Sequence, residues 1–407
     1  MERREFLRCA ATVAGAAVVG RSLPSVLGAE PKLERRNEQA SMKYARLGRT
    51  NLMVSLIVHG SLHTTRERIP LLAKLYEGGV NLFDTAPNYA GGRSEEAFGE
   101  FFSQDDRRKK VFICTKMDLR AQLQAKKDVY NTAMKCAEGS LRRLRMDCVD
   151  IMMLHGCTTL IDYVNDAEWL RAAEDLKKQG KIRFVGISEH AKPAEVLKLV
   201  VANGHYDAAM VAFSLIKGTW GSLGRTDIKT MEPALEAARK ADIGIIAMKA
   251  ATRADQIVAQ VAEPKLKKQG FSPFQLCYRY VLDVPGVAAV TCGMSNTTHV
   301  EENLKVPAIE LAASERERLR RCAAAARACG FCGTCLDACP NGVAVQDIVR
   351  FEGYHHHGHD ALARAGYAAL PPERRATACR GCGACERACP GRVPIRRLLQ
   401  EAHHALA

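Results

Sequence analysis

Eight of the chain's 16 cysteines fall in two copies of a single motif. Cys329-Gly-Phe-Cys332-Gly-Thr-Cys335-Leu-Asp-Ala-Cys339-Pro340 and Cys379-Arg-Gly-Cys382-Gly-Ala-Cys385-Glu-Arg-Ala-Cys389-Pro390 both read C-x2-C-x2-C-x3-C-P. That spacing wraps three thiolates around one face of an iron–sulfur cubane and sends the fourth cysteine into the following helix. A structural zinc site needs four ligands at other spacings and no proline after them. A disulfide framework spreads its cysteines along the chain instead of gathering them in two runs. The motifs therefore predict two [4Fe-4S] clusters. The other cysteines (Cys9, Cys114, Cys136, Cys148, Cys157, Cys277, Cys292 and Cys322) are scattered. Several lie in apolar, strand-like runs, where a free thiol acts as a small hydrophobe.

The C-terminal run, 329–400, resembles the bacterial-type ferredoxins that hold two [4Fe-4S] clusters, which implies a small α+β ferredoxin-like iron–sulfur domain. By the crossing rule of that family, Cys329, Cys332, Cys335 and Cys389 hold one cluster, and Cys379, Cys382, Cys385 and Cys339 the other. The 39 residues between the motifs exceed what a minimal ferredoxin needs. They include YHHHGHD, Tyr354 to Asp360, which reads as an exposed polar loop or a metal site around His355–His359. The Glu/Arg/Ala-rich segment 311–328 reads as a helix joining this domain to the rest of the chain.

Upstream, the pattern changes. With 407 residues, 47% of them hydrophobic, the chain can bury a large core and is long enough for two or three domains. Between residues 42 and 310 short β-rich runs alternate with amphipathic helical runs, the signature of βα units on a parallel sheet. The strand candidates are Val54–His59, Asn81–Thr85, Val111–Met117, Val149–His155, Arg183–Ser188, Ala208–Ser214, Gly244–Lys249 and Val287–Cys292. Eight strands in such a length predict an α/β fold of the (β/α)8 TIM-barrel type. An open doubly wound sheet is disfavoured because no GxGxxG follows an early strand. Helices are expected over Thr132 to Leu144 and Glu168 to Lys178, the latter closing on Lys177-Lys178 before Gly180.

Chemistry in a barrel sits where strands end and βα loops begin. Asp84 ends the second strand candidate, Tyr89 lies in its loop, Lys116 ends the third and His155 the fourth. An ammonium beside a phenol favours phenolate and lowers its pKa, and a carboxylate anchors the ammonium. The phenol can then protonate an alkoxide forming from a carbonyl, with the imidazole bonded to the same oxygen.

These four residues resemble the Asp-Tyr-Lys-His tetrad of the aldo-keto reductase superfamily. MKYARLGRTNLMVS resembles its N-terminal hairpin, FVGISEH its fifth strand and GMSNTTHVEEN its cofactor loop after strand eight. The resemblance implies hydride exchange between NADPH or NADH and a small carbonyl or alcohol substrate, with Tyr89 as the acid. It further implies cofactor contacts from Ser188, Glu189, Gly293, Ser295, Glu302 and Asn303. The chain departs from the family at three places: Glu189 stands where Asn usually follows the strand-five Ser, Met210 where strand six supplies Gln, and Met294 where a basic residue often meets a 2′-phosphate.

The first 28 residues read as an address: a basic ERREFLR start, an uncharged stretch from Cys9 to Gly20, and small residues around Gly28. Arg3-Arg4 followed by Phe6-Leu7 resembles a twin-arginine (Tat) signal, which implies export of the folded, cofactor-loaded chain to a periplasmic or other extracytoplasmic location. An uncharged stretch of that length is too short to span a bilayer, so no integral membrane protein is expected after processing. The formal charge of +14 brings no nucleic-acid motif with it, and the basic run Arg107 to Lys110, preceded by Asp105 and Asp106, reads as a solvated loop. Two functions fit: an exported iron–sulfur oxidoreductase that exchanges electrons with an unknown redox partner, or an electron-transfer protein built on a catalytically degenerate barrel. A nicotinamide passes two electrons as hydride whereas a cubane passes one, and no flavin signature bridges the two.

Overall fold

The computed structural model describes residues 32–407 apart from 63, 157–159, 191, 216–227, 252–253, 255–269, 326–328, 330–332 and 357–359. The expected export signal, Cys332, His357 and His359 thus lie outside the described residues.

Three short strands open the described chain: β1 (Glu34–Arg35), β2 (Tyr44–Arg46) and β3 (Leu52–Ser55). β2 runs antiparallel to β3 as the hairpin resemblance implies, and β1 adds a parallel partner on the other side. Eight parallel strands follow. They are β4 (Ile57–Gly60), β5 (Leu82–Asp84), β6 (Phe112–Met117), β7 (Val149–His155), β8 (Ile182–Glu189), β9 (Ala208–Ala212), β10 (Gly244–Met248) and β11 (Val287–Gly293). They close into a barrel in chain order, with β11 pairing β4.

Alternation along each strand divides the core in two. Val58, Leu82, Phe112, Cys114, Ile151, Met153, Met210, Ile246 and Met248 fill the barrel interior. Their alternate neighbours, such as Ile57, Phe83, Ile113, Met152 and Ile187, pack outward against the helices. Leu47, Leu52 and Val54 of the hairpin join the interior set, plugging the end where the strands begin. The hairpin tip fits because Gly48, at φ +48, passes so close to Gly244 that a Cβ there would lie 2.2 Å from the Gly244 nitrogen.

The expected strand Val54–His59 is two elements. Ser55 breaks it: its hydroxyl donates to the Ile57 carbonyl, and its N–H donates to the Asn81 side chain, as the chain passes from hairpin to barrel. The basic run is a 3-10 turn, Arg107–Lys110, and only half of it is solvated. Arg108 pairs with the fully buried Asp150 at 2.9 Å, and Arg107 lies over the Phe101 ring. The helices Val129–Leu144 and Ala167–Lys178 run from slightly earlier starts than their periodicity indicates, the second because the Asp166 carboxylate accepts from the Trp169 N–H as an N-cap. Among the described residues no helix is long and apolar enough to cross a membrane.

The joining helix spans Ala313–Ala325, and Arg320 on it pairs with Glu232 and donates to the Tyr280 hydroxyl. Beyond it, the described residues form helices where an α+β module was expected. The long spacer is the reason: it folds as Val345–His356 and Asp360–Ala368, which pack with the final helix, Ile395–Leu406, around Ile348, Ala363, Tyr367, Leu399 and Ala402. Tyr354 to His356, expected in a loop, form the last turn of the first of these, and His355 Nδ1 bonds to Asp360. The two cysteine motifs fold alike. Each places a left-handed glycine, Gly333 at φ +80 and Gly383 at φ +72, before a short helix, Thr334–Asp337 and Ala384–Ala388.

Candidate functional site

At the ends of β5, β6 and β7 the interior alternation delivers polar side chains where the loops begin. Asp84, Lys116 and His155 are all buried, at 3%, 1% and 2% exposure. Burying an ammonium is costly unless its protons are taken up, and here all three are. Lys116 Nζ donates to Asp84 Oδ1 at 2.5 Å, to the Thr85 carbonyl at 2.9 Å and to the Tyr89 hydroxyl at 3.2 Å. Burial alone would favour the neutral amine, but the Asp84 carboxylate and the Tyr89 oxygen overcome it and hold Lys116 above its ordinary value. Burial pushes the Asp84 carboxyl up, with the ammonium opposing.

Tyr89 arrives from a 3-10 segment, Tyr89–Gly92, in which Ala90 and Gly91 take left-handed conformations. The expected lowering of its pKa is reversed. Burial raises the phenol above its ordinary value, and Lys116, although it acts downward, does not outweigh the loss of water. The hydrogen bond has a directional consequence instead: because Lys116 donates to the phenol oxygen, the Tyr89 proton is left to point away from it. His155 faces Tyr89 edge-on at 6.0 Å between ring centroids. Burial and the Lys116, Arg120 and Lys249 cations drive its pKa down to about 3, so it is a neutral imidazole with one N–H to offer.

These groups open into a cavity of about 1150 Å³ lined by both polar and apolar side chains. Its walls include Tyr89, His155, Met210, Gly293, Glu302 and Asn303. Ser188 sits opposite His155 in register, and its buried hydroxyl has no hydrogen-bond partner. Ser188 and two other implied cofactor contacts are not on the wall itself. Ser295 is exposed and bonded to the His299 ring. Glu189 is fully buried, and its carboxylate accepts from the Leu160 and Lys192 N–H groups. Alternation explains this: with Gly186 and Ser188 facing the interior, Glu189 must face the loops.

The same alternation turns His190 inward, where sequence reading missed it. It lines the cavity 6.3 Å from His155, and burial with the nearby Lys249 lowers its pKa to about 2. Lys249, at φ +60 after β10, breaks the strand and also reaches the cavity. An orphaned hydroxyl, two neutral imidazoles and a polar rim of Asn296, Thr298 and Glu302 fit a dinucleotide with a small substrate beside it.

In the C-terminal module Cys339, Cys379, Cys382 and Cys385 line a single cavity, bringing the last cysteine of the first motif to the first three of the second. All four thiols are free, and Cys385 is pushed up by burial, with Cys379 and Cys339 among the charges that face it. Among the described residues no three His, Cys, Asp or Glu groups converge on one metal ion. Four cysteines from the two motifs lining one cavity are a donor set of the kind that holds an iron–sulfur cluster. Of the other predicted set, Cys335 is buried, and Cys329 and Cys389 border the module's core.

Comparison with known proteins agrees with this division. The profile of the Aldo/keto reductase family matches residues 60–253 and 190–324, and that of the 4Fe-4S dicluster domain matches 328–393. The oxidoreductase YqkF of Bacillus subtilis is 28% identical over 290 residues, 65% of this chain and 90% of that protein. The aldo-keto reductase AFTS1 of Alternaria alternata is 26% identical over 344 residues, 68% of this chain and 90% of its own length. A solved aldo-keto-reductase-type chain from Pseudomonas aeruginosa is 26% identical, with TM-score 0.52, and aligns with 67% of this chain and 96% of its own. Barrel, rim residues and profile all lead to one assignment: the chain is an oxidoreductase that belongs to the aldo/keto reductase family and carries a C-terminal 4Fe-4S dicluster domain.

Proposed function

We propose that the barrel reduces a small aldehyde or ketone, or oxidises the corresponding alcohol, with Tyr89 as general acid and base. The observation that carries this reading is the complete hydrogen-bonding of Lys116, which leaves the Tyr89 proton aimed away from the ammonium. A reduced nicotinamide, NADPH or NADH, would supply the hydride when bound. Tyr89 donates its proton to the oxygen that gains charge, His155 hydrogen-bonds the same oxygen as a neutral donor, and the buried Asp84–Lys116 pair compensates the phenolate left behind. Ser188, Gly293, Glu302 and Asn303 hold the cofactor; Glu189 positions the loops and does not touch it.

The C-terminal module holds two [4Fe-4S] clusters, with Cys339 crossing to Cys379, Cys382 and Cys385, and Cys389 crossing to Cys329, Cys332 and Cys335. They exchange electrons with a redox partner one at a time. The N-terminal 28 residues direct the loaded chain out of the cytoplasm by the Tat route.

A second reading, electron transfer on a barrel without carbonyl chemistry, draws on Glu189 being tied to the loops and on Met210 lining the wall. Tyr89→Phe separates the two. On the first reading it leaves fold and cluster spectra intact and lowers turnover of the best substrate in an aldehyde and ketone panel by about 10²–10⁴-fold. Wild-type protein that neither binds NADPH or NADH nor turns over any member of the panel would establish the second.

A further inference from the structure

The two cysteine motifs match in spacing and differ in charge. Where the first copy has Gly330, Asp337, Gly342, Gln346 and Asp347, the second has Arg380, Arg387, Arg392, Arg396 and Arg397 at the same five offsets. All five arginines are exposed, and so is Cys382. Four of them line the four-cysteine cavity or the groove beside it, and Arg387 donates to the Cys382 carbonyl. Arg380 and Arg396 line the cavity with Cys379, and Arg392, Arg396 and Arg397 line the adjoining surface groove of about 620 Å³ that also reaches Cys379. Glu386 pairs with Arg396 and Glu401 with Arg397, exposed contacts that leave the patch strongly positive.

Building on the reading that this module carries clusters, we propose that the groove beside Cys379 and Cys382 is the docking face for an acidic one-electron carrier protein. Electron transfer falls steeply with distance, so a carrier must come close to a thiolate near the surface, and Cys382 is there. Like-signed arginines around one of two equivalent motifs focus a field at that motif alone, which raises encounter rates with an anion. In each encounter the carrier gives up or takes one electron, and no atom or proton moves. The other motif, with Asp337 and Asp347 at two of those offsets and Arg350 paired to Asp347, is left to the interior of the electron path.

The test uses the full chain after anaerobic reconstitution, reduced and mixed in a stopped-flow cell with cobalt(III)–EDTA, an anion, or tris(phenanthroline)cobalt(III), a cation. Cluster absorbance gives the rate, and iron content and the EPR spectrum establish loading beforehand. The anionic probe should react fast at low salt and slow several-fold between about 10 and 500 mM salt, while the cationic probe speeds up. Arg380→Glu with Arg392→Glu, two exposed positions, should slow the anionic probe about tenfold and remove its salt dependence. Lys110→Glu with Lys127→Glu, the same charge change on exposed barrel positions, should leave both probes nearly unchanged. Loaded protein whose two double variants behave alike would overturn the docking face while leaving the clusters in place. Arginine variants that lose only binding to phosphatidylglycerol vesicles, with probe rates unchanged, would assign the patch to a membrane surface and overturn it too. A chain that holds no iron would overturn the cluster reading and this inference with it.

Discussion

The barrel rim and the C-terminal module position reactive groups in opposite ways. At the rim every strong donor of Lys116 is taken by protein atoms, and the strands beneath are packed on both faces. In the module, free cysteines face one another around a cavity at the border of a small core. The rim is complete in itself. The module is arranged around something it must receive, and domains of that size seldom stabilise themselves by apolar burial alone.

The contrast breaks most visibly on iron removal. Chelation under mild oxidation should unfold the module, because ligand binding and folding are one equilibrium in small metal-organised domains. Limited proteolysis should then cut beyond the helix Ala313–Ala325 and spare the barrel; an apo module as protease-resistant as the loaded one would show that its helices stand alone. A smaller effect, on the other side, comes from Asp84→Asn. It strands the Lys116 ammonium without a counter-charge and should cost the barrel about 3–5 kcal/mol in denaturant unfolding, with cluster spectra unchanged.

A third test, read one histidine at a time, is acidity. His59, His155 and His190 have pKa values held down to about 3, 3 and 2 by burial, each helped by nearby cations. The unfolded chain takes up these protons near pH 6.5, so the stability they contribute is fully present above that value and lost as pH falls toward 3. Between pH 7 and 5 each costs about 2 kcal/mol. Barrel unfolding followed by the buried Trp169 should therefore weaken over that interval, and His155→Gln should flatten the slope. An unchanged slope would mean that His155 takes its proton in the folded state.

Much of this was legible in the residues. The β-rich runs mark eight barrel strands, and the cysteine spacing marks the module, because both are local patterns with a fixed period. Position in three dimensions was harder. Glu189 looked like a ligand contact by its place after Ser188, although strand parity sends it outward and His190 inward. The Tyr89 pKa was misjudged because a sequence displays the neighbouring cation but not the missing water. Arg108 looked solvated in a run of bases, since nothing local announces its partner Asp150. Lys249 depends on one left-handed residue at a strand end, which no periodicity encodes.

Asp84 lies opposite Cys114, Lys116 opposite Met153, and His155 opposite Ser188 across adjacent strands. Their mutual spacing is thus written in the ladder of backbone hydrogen bonds and not in the connections between strands. Segments such as the one after His155 can be lengthened, trimmed or exchanged as cassettes while the lysine, its carboxylate and the imidazole keep their places. A lineage built on this barrel can rewrite its loops and inherit the buried lysine, its carboxylate and the imidazole at unchanged spacing.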